Sequence, residues 1–266
     1  MQKKSAAHAS WQELLSAPAP ASHIVQLYDS DDFLACGVAH FAAEGLQRDE
    51  AVLLTGTQAH LQGIRRELAS RGVDAPAAMR QGRLMLTDAE EGVAATLCDG
   101  MPDPDRFRAA TIDTLARCGA DARFSGARWW GEMTSVLHQQ GNARAALRTE
   151  ELGDAAARKH GFSLFCSFLC DRFDPQGYEG ILREVCGRHS HVIPAQNYVM
   201  HRLAVNHAIR EVLGEIRGPL LQSLLSWKGL ACDQPSSQAA LFWVQEAMPE
   251  RFAEVLSLAK AYHARG

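Results

Sequence analysis

The 266-residue chain contains no run of 18 consecutive apolar residues, so no membrane-spanning helix is predicted. The first ten residues, Met1–Ser10, are polar and lack the apolar stretch of a secretory signal, and a cytoplasmic location is expected. An excess of positive charge is also missing: Lys and Arg number 27 against 31 Asp and Glu, for a net charge of -4. A dedicated nucleic-acid binder normally carries a basic face, so no direct nucleic-acid partner is predicted. The seven cysteines are odd in number and sit mostly among apolar neighbours. That is the pattern of a reducing compartment rather than of a disulfide framework.

Catalytic and nucleotide signatures are missing as well. A nucleoside-triphosphate loop has the form Gly-x-x-x-x-Gly-Lys-Ser/Thr between a strand and a helix. The loop after the first predicted strand instead reads Tyr28-Asp29-Ser30-Asp31-Asp32-Phe33, with no glycine, no lysine and three carboxylates that would repel phosphate. The loop after the second reads Thr55-Gly56-Thr57-Gln58-Ala59-His60-Leu61, with one glycine and again no lysine. Without the lysine and the magnesium-binding hydroxyl, hydrolysis loses its main electrostatic support. No dinucleotide fingerprint, Gly-x-Ser-x-Gly elbow or His-Glu-x-x-His helix is present. No cofactor is expected.

What is present is ordinary globular composition, 47% hydrophobic and 22% charged, arranged in strand-plus-helix cycles. Strands are predicted at His23–Tyr28, Ala51–Thr55, Arg83–Thr87, Gly126–Trp130 and Phe162–Leu169. Apolar residues at helical spacing follow each one, for example Leu61, Ile64 and Leu68 before Gly72. Five such cycles predict a parallel sheet with helices on both faces. Residues 1–21, ending in Ala17-Pro18-Ala19-Pro20, read as a flexible lead-in, residues 22–194 as the α/β domain, and residues 195–266 as an all-helical extension.

In an open parallel sheet the ligand site lies at the carboxyl ends of the strands. That rule nominates Tyr28, Thr55, Trp130 and Phe168 with their neighbours. Arg128-Trp129-Trp130-Gly131-Glu132-Met133 adds an Arg and a Glu around two aromatics: either a charged anchor for a ligand, or a structural ion pair. His23 either frames the same site or simply packs. The histidines His189, His191, His201 and His207 lack the spacing of a zinc site, and His201 and His207 do not share a helix face, so no metal is predicted. Cys166 and Cys170 do not match redox spacing and read as core.

Several of these segments together resemble the methanogen/methylotroph sensory (MEDS) domain. The residues that carry the likeness are His23–Tyr28, Glu44-Gly45-Leu46, Glu50–Leu54, Arg128-Trp129-Trp130-Gly131-Glu132-Met133, and Cys166-Ser167-Phe168 followed by Asp171 and Phe173. They run in order from about Ser22 to Pro194. The resemblance implies a three-layer, RecA-like α/β domain with a degenerate nucleotide loop, which senses small, often hydrocarbon-like molecules without catalysing a reaction. His23, Tyr28, Arg128 and Glu132 match the family's characteristic positions, while Phe168 stands where a Tyr is expected.

The resulting expectation is a non-enzymatic sensor that binds a small organic ligand through His23, Tyr28, Thr55, Arg128, Trp130, Glu132 and Phe168. Two alternatives stand beside it. One is a protein-interaction or self-association module acting through residues 195–266 with a vestigial pocket; the other is an enzyme using Glu132 as a base with His23 nearby.

Overall fold

The structure, a computed structural model, describes residues 11–118, 123–227 and 236–265. Its six main strands form an all-parallel sheet within an α/β fold, and the chain ends in helices. The chain divides into two compact units. One comprises the residues up to His23 together with Ser30–Ser167, the other Ile24–Asp29 and Phe168–Gly266.

The first unit contains α1 (Trp11–Ser16), the first residue of β1 (His23–Tyr28), α2 (Asp31–Gln47), β2 (Ala51–Gly56), α3 (Gln58–Ser70), α4 (Ala75–Arg80) and β3 (Leu84–Asp88). It continues with α5 (Ala89–Thr96), the short antiparallel pair β4 (Leu97–Cys98) and β5 (Met101–Pro102), α6 (Pro104–Cys118), β6 (Ala127–Gly131), α7 (Met133–Gln139), α8 (Ala143–His160) and most of β7 (Ser163–Leu169). Its strands lie in the order β3-β2-β6-β7. Every residue of β2 is buried, as expected where helices cover both faces of a parallel sheet.

Local chemistry sets the helix ends. Thr57, Asp74, Asp88 and Asn142 each accept a backbone N–H of the helix they precede, and Gly161 ends α8 in the left-handed region at φ 75°. Gly141, at φ 80°, falls between α7 and α8. Of the segment read as flexible, residues 1–10 lie outside the described residues, while Trp11–Ser16 forms α1 with Leu15 fully buried.

The pairing register assigns the two sheet faces of this unit. Thr55 pairs with Gly131 and Gly131 with Cys166, while Leu53 pairs with Trp129 and Trp129 with Leu164. Because side chains alternate along a strand, these residues share one face. Leu54, Trp130 and Phe165 share the other, where Phe41 of α2 meets Phe165 at 5.1 Å between ring centroids. Helices α6 and α8 supply Phe107, Gly153 and Ala156 to the first face. The unit is therefore a helix–sheet–helix sandwich, the three-layer arrangement of a RecA-like fold.

The second unit pairs Ile24, Val25 and Gln26 of β1 with His191, Val192 and Ile193 of β8 (His191–Ile193), a parallel strand that periodicity does not predict. It also holds α9 (Pro175–Glu179), α10 (Leu182–Arg188), α11 (Tyr198–Trp227), α12 (Ser236–Ala247) and α13 (Pro249–His263). Gly214, at φ 83° and ψ 164°, interrupts α11. Tyr178 packs edge-on against Phe242 and Phe252, and its hydroxyl donates to the Arg172 carbonyl at 3.0 Å. No strand follows Ile193 among the described residues. Residues 228–235, Leu230 and Cys232 among them, lie outside those residues, as does the side chain of Trp227.

Candidate functional site

At the carboxyl ends of β2 and β6, an apolar chamber of about 70 Å³ lies between the sheet and α6 and α8. It shares Thr55, Phe107, Thr111, Trp129 and Met133 with an adjoining groove of about 490 Å³ that extends under α5 to Asp88 and Glu91. Phe162 and Leu164 complete the apolar wall of the chamber, and Glu150 and Cys166 also line it. Its polar atoms are few and fixed. The Trp129 indole N–H donates to the Thr55 hydroxyl at 2.9 Å, which is 2.8 Å from the Thr87 hydroxyl.

Around the turn at the end of β6, Glu132 is almost wholly buried. Its carboxylate accepts the Thr57 backbone N–H at the start of α3 and lies 2.7 Å from His60 Nδ1. His60 Nε2 reaches Asp31 Oδ1 at 3.4 Å. The hydrogen bond to Glu132 raises the His60 pKa above its ordinary value, and partial burial opposes this. A helix N-terminus of this kind attracts anions, and here it is satisfied by a carboxylate of the same chain.

Arg128, at the other end of β6, is 1% exposed. Its Nε bonds Glu50, Nη1 donates to the Leu15 and Phe41 carbonyls at 2.7 and 3.2 Å, and Nη2 donates to the Ser16 carbonyl at 2.9 Å. The guanidinium also lies 5.2 Å from the Phe41 ring centre. Gly45 leaves room for this: a Cβ there would stand 2.8 Å from Arg128 Cδ. Gly56 plays the same part for Trp130, whose ring would meet a Cβ at 2.5 Å. Trp130 is fully buried, with its indole N–H donating to the Ser167 hydroxyl at 3.0 Å.

His23 lies against α8. Its Nε2 is 3.2 Å from Glu150 Oε2 and 3.4 Å from Cys166 Sγ, and its Nδ1 is 3.5 Å from Asp154 Oδ1. Burial alone would lower the His23 pKa, but electrostatic interaction with Cys166 and hydrogen bonds to Asp154, Cys166 and Glu150 hold it well above the ordinary value. Burial also pushes the Cys166 thiol up to about 11.

The structure thus distributes the seven candidates. Thr55 lines the chamber from β2, Glu132 caps the turn after β6, and Trp130 and Arg128 project from the opposite face of the sheet on β6. His23 reaches two lining residues, Glu150 and Cys166. Tyr28 and Phe168 belong to the second unit and are buried there. Sequence reasoning named Trp130 and passed over Trp129, His60, Phe107 and Glu150. Only strand register could have separated the two tryptophans.

His191, His201 and His207 do not converge. His201 Nδ1 lies 3.1 Å from the Ser237 hydroxyl, and burial lowers its pKa to about 3. His207 stacks on Tyr262. Among the described residues, His191, His201 and His207 belong to no group of ligating side chains.

In an open parallel α/β sheet, ligand sites generally lie at the strand ends, where this chamber is found. Residues 22–190 match the family described as MEDS, the methanogen/methylotroph, DcmR sensory domain, and the chain belongs to that family. No curated protein matches it. Among the described residues no helix is long and apolar enough to cross a membrane.

Proposed function

We propose that this protein is a non-enzymatic sensor whose small organic ligand occupies the chamber and groove at the carboxyl ends of β2 and β6. The observation that carries this reading is the lining itself. Phe107, Trp129, Phe162 and Leu164 offer apolar contact, and the Thr55 and Thr87 hydroxyls stand beside them. A chamber of about 70 Å³ suits a ligand of a few heavy atoms, and the wider groove admits a longer one. Membership of a sensory family supports the same reading.

Nucleotide hydrolysis is not part of this function. Glu132 already occupies the α3 N-terminal N–H that would otherwise face a phosphate, and Asp31 and Asp32 stand in the first turn of α2. Each carboxylate repels a phosphoryl group.

Native mass spectrometry of the purified chain, with a thermal-shift screen of small apolar compounds and of ATP with magnesium, tests the proposal. Stabilisation by small apolar compounds that disappears in an Ala156→Leu variant, which fills the chamber from α8, is the expected result. A ligand bound only by the folded state raises its stability in this way. Stabilisation by ATP with magnesium would overturn the reading.

A second reading rests on α11, where Val199 and Leu203 are 59% and 44% exposed one turn apart. It makes residues 195–266 a self-association or partner surface. Light scattering of the wild type and of a Val199→Glu, Leu203→Glu double variant decides it: a dimer lost in the variant favours this reading, and a monomer in both rejects it.

A further inference from the structure

The cluster at His23 has the composition and spacing of a transition-metal centre. Three different elements bring one ligating atom each: Nε2 of His23 from β1, Oε2 of Glu150 from α8 and Sγ of Cys166 from β7. All three side chains are buried, and the atoms lie within 4.8 Å of one another. We infer that these three residues bind a divalent ion of the zinc class, in the wall of the chamber that Glu150 and Cys166 also line.

Geometry supports this beyond composition. Zinc bonds of about 2.0–2.1 Å to imidazole, 2.0–2.2 Å to carboxylate and 2.3 Å to thiolate, set at the tetrahedral angle, separate N from O by about 3.4 Å and N from S by about 3.6 Å. The observed separations are 3.2 and 3.4 Å, so side-chain shifts of a few tenths of an ångström admit an ion. Nε2 carries at most one proton and cannot aim it along both directions at once, whereas a cation binds both acceptors together with the imidazole.

The surroundings fit as well. Asp154, one turn beyond Glu150 on α8, sits 3.5 Å from Nδ1 of His23, on the side of the ring away from the other two ligands. A carboxylate there receives the Nδ1 proton and leaves Nε2 for the metal, the usual support of a zinc-bound histidine. Arg158 in turn holds Asp154 at 2.9 Å. Two buried or half-buried carboxylates and a thiol around one imidazole leave negative charge that a dication would balance.

The ligands are 127 and 16 residues apart in the chain, which is why no spacing motif announces them. The inference does not depend on the organic ligand, because metal binding is read in its absence.

The test uses the full chain, purified under reducing conditions and titrated with Zn²⁺ and with Co²⁺. The expected result is about one ion per chain, with a thiolate-to-cobalt charge-transfer band in the near ultraviolet. Cys166→Ser removes that band, Glu150→Gln and His23→Gln reduce bound zinc to background, and Asp154→Asn weakens affinity by about 10- to 100-fold. Cys98→Ser, a change at an exposed cysteine, keeps both ion and band. Should His23→Gln fail to fold, the near-isosteric Cys166→Ser and Asp154→Asn carry the test. A wild type that binds no Co²⁺ at micromolar concentration, or a Cys166→Ser chain that retains the charge-transfer band, overturns the inference.

Discussion

The two ends of β6 make opposite use of charge. At the Arg128 end a guanidinium is enclosed by Glu50 and three backbone carbonyls from α1 and α2. At the Glu132 end a buried carboxylate is tied to His60 and to the start of α3, next to a chamber and groove. Arg128 and Glu132 are four positions apart in one short segment, yet the first acts as a structural rivet and the second borders open volume. A sequence signature therefore need not be a single site. It can record both the packing that holds a strand and the chemistry at its end.

The rivet end has the largest expected effect. Arg128→Met leaves Glu50 and three carbonyls without their donor, and should cost about 3–5 kcal/mol in urea unfolding. An unchanged midpoint would break the comparison. Gly45→Ala drives a methyl into Arg128 and should cost about 1–3 kcal/mol by the same assay.

At the open end the effects on stability are smaller and the effects on binding larger. Trp129→Phe loses the indole bond to Thr55, about 1 kcal/mol of stability, and should weaken any chamber ligand while Arg128 variants that fold do not. Isothermal titration with a stabilising compound measures both. The smallest effect belongs to the His60–Glu132 pair. His60 has a raised folded pKa, so its contribution is full below about 6.5 and is lost as pH rises through the folded value. His60 is partly exposed, so solvent screening should hold this contribution to about 1 kcal/mol. Glu132→Gln should return the His60 titration, followed by NMR, towards its ordinary value and flatten that pH dependence.

Acid pH separates the second unit in the same way. His201 is buried with its pKa lowered to about 3, so below about 6.5 the unfolded chain takes up a proton that the folded chain refuses. Stability should fall by up to about 1.4 kcal/mol per pH unit from that residue alone. A His201→Gln variant should remove this share of the acid sensitivity.

Sequence periodicity sufficed for the five strands whose apolar runs are long enough to register, β2 and β7 most clearly. It failed on β8, three residues after a helix, and on the two-residue strands β4 and β5, because no alternation can be read in so short a span. Helix α1 was missed next to a proline-rich stretch; it is held by Leu15 and by carbonyls that Arg128 binds, and those contacts are tertiary. The strand-end rule located Thr55, and the signature drew attention to Glu132. The facing of Trp129 rather than Trp130 into the chamber depends on register with β2 and β7, and the approach of His23 to Glu150 depends on which face α8 presents. Neither is encoded locally.

Hydrogen-exchange mass spectrometry with and without a stabilising small compound tests the central claim most directly. Protection confined to peptides of α6, α8 and residues 129–134 is the predicted result. Protection centred instead on α1, α2 and the Arg128 end of β6 would contradict it.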